Sequence, residues 1–137
     1  MGIVRAEITL KNAIDMGNAD RGMIKDSEIR QTTVTAVVDT GAITLVINEE
    51  IRQKLGLKTR GHRRATLADG VAHDYEVTEP VSIHWKDRES ACNAYVVPNA
   101  NNVLLGAIPM EDMDLIVSPK NQEVVGAHGD EAVGILY

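Results

Sequence analysis

Apolar and polar residues alternate from Ile3 to Leu10: Val4, Ala6, Ile8 and Leu10 fall on one face, and Ile3, Arg5, Glu7 and Thr9 on the other. That period of two predicts a half-buried strand. Lys11 to Glu28 is polar, with Gly17, Gly22 and several Asp and Asn residues, and reads as a long loop or wide hairpin connection. Ile29 to Val38 is a second strand, rich in Thr and Val, and its consecutive Val37 and Val38 suit burial on both faces. Asp39-Thr40-Gly41-Ala42 interrupts the apolar run, which resumes at Ile43 to Ile47. Asn48 is a good N-cap, Glu49 and Glu50 suit a first turn, and Gly56 suits the C′ position, so a two-turn helix is expected over Glu49 to Leu55.

Three hairpins follow. Arg63–Leu67 and Val71–Val77 flank Asp69-Gly70, a strong short-turn signal. Val81–Trp85 and Ser90–Val97 flank the charged turn Lys86-Asp87-Arg88-Glu89. Leu115–Ser118 and Gln122–Val125 flank Pro119-Lys120-Asn121. Between the last two lie a short buried strand, Val103 to Gly106, and a brief helix with Pro109 at its first position. Gly126 to Tyr137 has no clear pattern before Ile135-Leu136-Tyr137. Seven or eight short strands with one or two short helices define an all-β, barrel-like domain.

Composition agrees with that class. The 137 residues hold 15 Val, 12 Ile and 9 Thr against 9 Leu, a β-branched excess that favours sheet. Phe is absent, so the core must be aliphatic. The length suits one domain and is too short for a two-lobed enzyme on a single chain. Lys plus Arg number 14 and Asp plus Glu 20, and the net charge of −6 argues against a general nucleic-acid binder. The lone Cys92 cannot form an internal disulfide. No apolar run reaches the length of a membrane span and no signal peptide is visible, so a cytoplasmic protein without membrane contact is expected.

The candidate chemistry centres on Asp39. A carboxylate between a buried strand and an apolar run is costly unless it has a partner or a task. The Thr40 hydroxyl can hold the loop, Gly41 lets a main-chain N–H approach the carboxylate, and Ala42 keeps the exit small. Asp-Thr-Gly alone is also an ordinary turn composition, but a surface turn is not usually embedded between two apolar strands. The four His residues, at 62, 73, 84 and 128, lack metal-ligand spacing, and no metal or other cofactor is expected. Lys58, Arg60, His62, Arg63 and Arg64 form a basic cluster, read as a solvated strand and turn or as an anchor for an acidic substrate segment or RNA. Asp112 and Asp114 read as exposed, Tyr75 as packing in the hairpin, and Trp85 as a sheet-face packing residue.

Apolar-apolar-Asp-Thr-Gly-Ala followed by an apolar strand resembles the active-site loop of retropepsin-like aspartic proteases, of the single-lobe, dimeric type. Leu104-Leu105-Gly106 before a short helix is similar to that family's second motif, 67 residues after Asp39 (106 − 39). Ala68-Asp69-Gly70 occupies the place of its flap, 30 residues after Asp39 (69 − 39). The resemblance implies a closed barrel over residues 1–125 and catalysis by Asp39 within the loop Thr40, Gly41 and Ala42. It also implies a flap at Ala68, Asp69 and Gly70. With one Asp-Thr-Gly per chain, it further implies a homodimer that pairs two Asp39 carboxylates to hydrolyse a peptide or protein substrate. The alternative is a non-catalytic peptide-binding or dimerisation module on the same fold. The chain departs from the family in having a single Gly at the flap tip, a long 11–28 connection, and Ala107 where retroviral enzymes often carry a charge. The tail, 126–137, lies outside the resemblance and reads either as a dimer-interface strand or as a disordered end.

Overall fold

A computed structural model describes residues 2–67 and 69–136. Among the described residues, nine strands and three short helices follow one another as β1 (Arg5–Asn12), α1 (Ala13–Asp20), β2 (Gln31–Val38), β3 (Leu45–Ile47), α2 (Glu49–Lys54), β4 (Thr59–Thr66), β5 (Ala72–Trp85), β6 (Arg88–Val96), β7 (Leu104–Leu105), α3 (Ala107–Asp112), β8 (Leu115–Ser118) and β9 (Glu123–Gly126). Seven strands form one sheet in the order β1-β2-β7-β3-β6-β5-β4, and β1 also pairs along its second edge with β5. The strands β8 and β9 make a separate hairpin.

The alternation in β1 places Ala6, Ile8 and Leu10 in the core. There they meet Leu45, Ile47, Ile83 and Leu105, each less than 2 % exposed. Among the described residues the core is aliphatic apart from Trp85, which is 9 % exposed with the Lys86 ammonium 4.7 Å from its ring centroid.

The connection from Lys11 to Glu28 is not a loop. It extends β1 to Asn12 and then forms α1, followed by a 3₁₀ turn over Asp26–Glu28. Asn12 continues the inward face of β1 and is almost fully buried. Its side chain accepts from the Asp15 N–H at 3.0 Å, capping α1, and donates to the Leu55 carbonyl at 2.8 Å. Asp15, also buried, accepts from Nε and Nη2 of Arg30 at 2.8 and 2.9 Å and from the Arg30 main-chain N–H at 3.0 Å. The Arg30 guanidinium lies so close over Gly56 that a Cβ there would collide with it. Gly56 has φ +60° and ends α2 as expected. The Asn48 cap also forms, accepting from the Ile51 N–H at 2.9 Å.

Three further details differ from the pattern-based expectation. β5 runs unbroken through Pro80, because a bulge between Val77 and Pro80 removes the ladder bonds that a proline would spoil. The Thr78 hydroxyl accepts from the Ala94 N–H at 3.1 Å, and the Thr78 carbonyl accepts from Asn93 Nδ2 at 2.6 Å, so the bulge is satisfied. Pro109 is the third residue of α3, not the first, still within the turn whose N–H groups have no helical partner. Arg88, expected in a charged turn, instead opens β6 and is 6 % exposed.

Candidate active site

The chain crosses itself around Asp39. Leading into the site, β2 runs parallel to β7, with Val37 opposite Leu104 and Val38 opposite Leu105. Leading out, β3 runs antiparallel to the same β7, with Leu45 opposite Leu105 and Val46 opposite Leu104. The second apolar-apolar-Gly segment therefore lies between the two strands that flank the Asp-Thr-Gly loop. Main-chain hydrogen bonds hold the loop from both sides. The Asp39 N–H donates to the Leu105 carbonyl at 3.0 Å, and the Ala42 N–H donates to the Asp39 carbonyl at 3.0 Å. The N–H groups of Ala107 and Ile108 donate to the carbonyls of Ala42 and Ile43 at 2.8 and 3.0 Å.

Gly106 makes this crossing possible. A Cβ there would come within 2.6 Å of the Ala42 carbonyl oxygen and 2.8 Å of the Thr44 nitrogen, and closer still to the Thr44 carbonyl oxygen. Its φ of −93° is ordinary, so proximity and not conformation demands glycine.

The Asp39 side chain is half-buried, and its Oδ1 accepts from the Gly41 N–H at 2.9 Å. That bond fixes the direction of the carboxylate and leaves Oδ2 for another partner. Thr40 is exposed, and its hydroxyl makes no hydrogen bond among the described residues. A carboxylate held this way can take a proton from water when ionised or donate one to a carbonyl when protonated.

Between β4 and β5, a hairpin projects from the sheet with most of its residues exposed. Thr66 pairs with Ala72, so each strand of the hairpin ends one residue short of the expected Leu67 and Val71. Ala68 lies outside the described residues. Gly70 has φ +77° and donates to the Leu67 carbonyl at 2.9 Å, and Asp69 Oδ1 accepts from the Val71 N–H at 2.9 Å. Tyr75 is half-buried at 5.9 Å, centroid to centroid, from the His73 ring.

Two concave surfaces adjoin the Asp39 loop. One, of about 460 Å³, lies between the loop exit and β4 and includes Ile43, Ile108, Arg63 and Tyr95. Ile43 and Ile108 are 61 % and 50 % exposed, unusual for isoleucines beside a core. The other, of about 600 Å³, runs from Asp39 and Thr40 past Ile3, Met110, Ile116 and Pro119.

Asp114 was expected to be exposed. It instead holds the C-terminal segment: its Oδ2 lies 2.7 Å from His128 Nδ1 and accepts from the Val133 N–H at 3.0 Å. The hydrogen bond from His128, then that from Val133, keeps its carboxyl below the usual carboxylate range. Arg88 completes the tether, donating to the carbonyls of Met113, Asp114 and Gly129 at 2.7–2.9 Å. No local pattern in the sequence marks Arg88 for this role, because all three acceptors are main-chain groups distant along the chain.

The sequence profile of the aspartyl protease family matches residues 25–126, a span that includes the Asp39 loop, the projecting hairpin and β7. The chain belongs to this family. The retroviral protease-like domain of Ddi1 from Leishmania major shares the fold, with a TM-score of 0.50 at 14% identity over 87% of this chain and 85% of that one. A retropepsin-like aspartic protease from Rickettsia conorii is similar at 21% identity, with a TM-score of 0.40 over 64% of this chain and 76% of that one. No curated protein sequence matches the chain. Among the described residues, no helix is long and apolar enough to cross a membrane.

Proposed function

We propose that the protein is an aspartic endopeptidase whose active site forms when two copies bring their Asp39 residues together on a two-fold axis. The observation that carries this reading is the Asp39 carboxylate itself. It is half-buried, directed by the Gly41 N–H, and mounted on a loop pinned by main-chain bonds to β7. One chain supplies one such carboxylate, and a two-fold pairing supplies the second.

The chemistry follows from the pair. Two carboxylates in contact cannot both ionise easily, so they share a proton and titrate as a unit. The ionised Asp39 takes a proton from a water lying between them as its oxygen attacks the peptide carbonyl carbon. The protonated Asp39 donates to the carbonyl oxygen, giving a neutral tetrahedral gem-diol. Collapse of that diol breaks the C–N bond, with one Asp39 giving a proton to the leaving nitrogen and the other accepting one from a diol hydroxyl. The exposed Thr40 hydroxyl reaches the partner's loop, and Ala68, Asp69 and Gly70 close over the substrate backbone. Leu104, Leu105 and Gly106 brace the Asp39 loop.

Residues 1–125 form the protease domain under this reading, and the second pairing of β1, to β5, supports its description as a closed barrel. The surface of about 600 Å³ beside Asp39 and Thr40 faces the partner. Ile135 and Leu136, 64 % and 99 % exposed, give the tail 126–137 an apolar end to place there.

Incubation with a complex peptide mixture at pH 4 to 7, read by mass spectrometry, tests the activity. Wild type should cut. Asp39→Asn should remain folded and dimeric by light scattering while hydrolysis falls roughly 10³-fold or more. Equal cleavage by the variant would remove Asp39 from the reaction. Peptide binding without cleavage by wild type would favour the non-catalytic module.

A further inference from the structure

The chain carries a net charge of −6, yet five of the seven residues from Lys58 to Arg64 are basic or His. Their surroundings divide them. Arg64 reaches Asp74 on the neighbouring strand at 3.9 Å. Arg60, His62 and Arg63 line the cleft of about 460 Å³ together with Ile43 and Ile108. No Asp or Glu is among the described residues lining it. Neither Arg60 nor Arg63 pairs with a carboxylate among the described residues.

The backbone contributes to this arrangement. Thr59 pairs with Thr78 and Gly61 with Val77, so Arg60 is the extra residue of a bulge. Bulges redirect a side chain that regular pairing would place elsewhere. Arg63 Nη1 lies 3.4 Å from the Tyr95 hydroxyl, which places its guanidinium at the cleft wall. Two guanidinium groups without counter-charges, beside an apolar floor, form a carboxylate site. The planar fork matches a carboxylate in two-point contact, and apolar walls concentrate the field. Ile43 and Ile108 offer the same ligand an apolar surface. Ile43 lies four residues after Asp39 on the same loop, so one wall of the cleft is built from the loop that carries the proposed reaction centre, while Asp39 itself lines the other concave surface.

We propose that this cleft is an acid-selective subsite. It takes an extended peptide segment with an apolar side chain beside an Asp or Glu, within about four residues (~13 Å of extended chain) of the bond to be cut. The apolar side chain packs on Ile43 and Ile108, and the carboxylate meets Arg60 and Arg63. This selectivity rests on the protease reading for its use in catalysis, but its binding chemistry can be measured separately.

The test uses full-length Asp39→Asn protein and two fluorescent peptides with the same apolar residues, one carrying Glu and the other Lys at the flanking positions. Anisotropy titrations at low salt should show the Glu peptide binding about tenfold more tightly, and added salt should narrow the gap. Adding Arg60→Gln and Arg63→Gln should reduce the preference below about twofold, whereas Arg64→Gln should leave it unchanged. Arg63→Lys should restore part of it. Equal binding of the two peptides, a preference that survives the double substitution, or tighter binding of a single-stranded RNA oligonucleotide would overturn the proposal. Wild-type cleavage separates this from the protease reading. A Glu peptide bound through Arg60 and Arg63 but never cut removes the protease and keeps the subsite. Cutting without charge preference does the reverse.

Discussion

Replacing Gly106 with Ala adds one methyl group where three main-chain atoms already stand. The new Cβ would lie 2.6 Å from the Ala42 oxygen and 2.8 Å from the Thr44 nitrogen, below the 3.0 Å that real Cβ atoms respect, with the Thr44 oxygen nearer still. The loop must retreat by at least 0.4 Å from the first of these (3.0 − 2.6), and further from the Thr44 oxygen. Overpacking a core usually costs about 1–3 kcal/mol. No side-chain rotation relieves this clash, because every colliding atom is backbone. Retreat also stretches the Ala107–Ala42 and Ile108–Ile43 hydrogen bonds, and weakening one adds about 1 kcal/mol. The sum is about 2–4 kcal/mol, a large share of a small domain's stability. With a urea slope of about 1.5 kcal/mol/M, the unfolding midpoint should fall by roughly 1.3–2.7 M. Peptide hydrolysis should fall even at low urea, because the displaced segment carries Ala42 and leads back to Asp39. Gly61→Ala is the control: nothing lies within 4 Å of its added Cβ, and its stability should stay within about 0.5 kcal/mol of wild type. A Gly106→Ala midpoint within about 0.3 M of wild type, with hydrolysis intact, would refute the argument that close approach governs this loop.

Asp15→Asn should cost about 2 kcal/mol in urea unfolding, less than a fully buried ion pair because the Arg30 side chain is 51% exposed. Hydrogen bonding from Arg30 holds the Asp15 carboxyl below its usual range, so its contribution is present above about pH 4 and lost as pH falls further. The gap between wild type and variant should therefore close in acid, and a gap that widened there would contradict the assignment. His128→Ala should accelerate hydrogen exchange at the Val133 amide, whose acceptor is the Asp114 carboxylate that His128 orients. Unchanged exchange would show that His128 does not hold the segment. Truncation after Gly129 removes Ile135 and Leu136 and should weaken self-association in a light-scattering dilution series, whereas unchanged association would remove the tail from the interface.

Local rules made much of the molecule legible. Period-two alternation placed β1 and its inward residues, and Asn48 with Gly56 bounded α2, because capping and left-handed turns depend on neighbours in sequence. The Asp39 loop and Leu104-Leu105-Gly106 could be singled out separately, and the structure shows them joined through β7. What was not legible depends on distant partners. α1 has an interior Gly17 and little apolar periodicity, and it is held by Asn12 on Leu55 and Asp15 on Arg30. Arg88 looked like a turn residue because its acceptors lie 25 to 41 positions away. The basic run around Arg63 was visible, but its division between Arg64, paired with Asp74, and a cleft wall with no carboxylate partner among the described residues was not.

The central claim is that two copies of Asp39 make one active site, and a subunit-mixing titration tests it most directly. Wild-type protein is held at constant concentration, mixed with increasing Asp39→Asn protein and equilibrated, and peptide hydrolysis is measured. If each site needs both carboxylates, mixed dimers are inactive, and activity should decline towards zero as the variant captures wild-type chains. Activity that stays constant through a large excess of the variant would contradict the shared site.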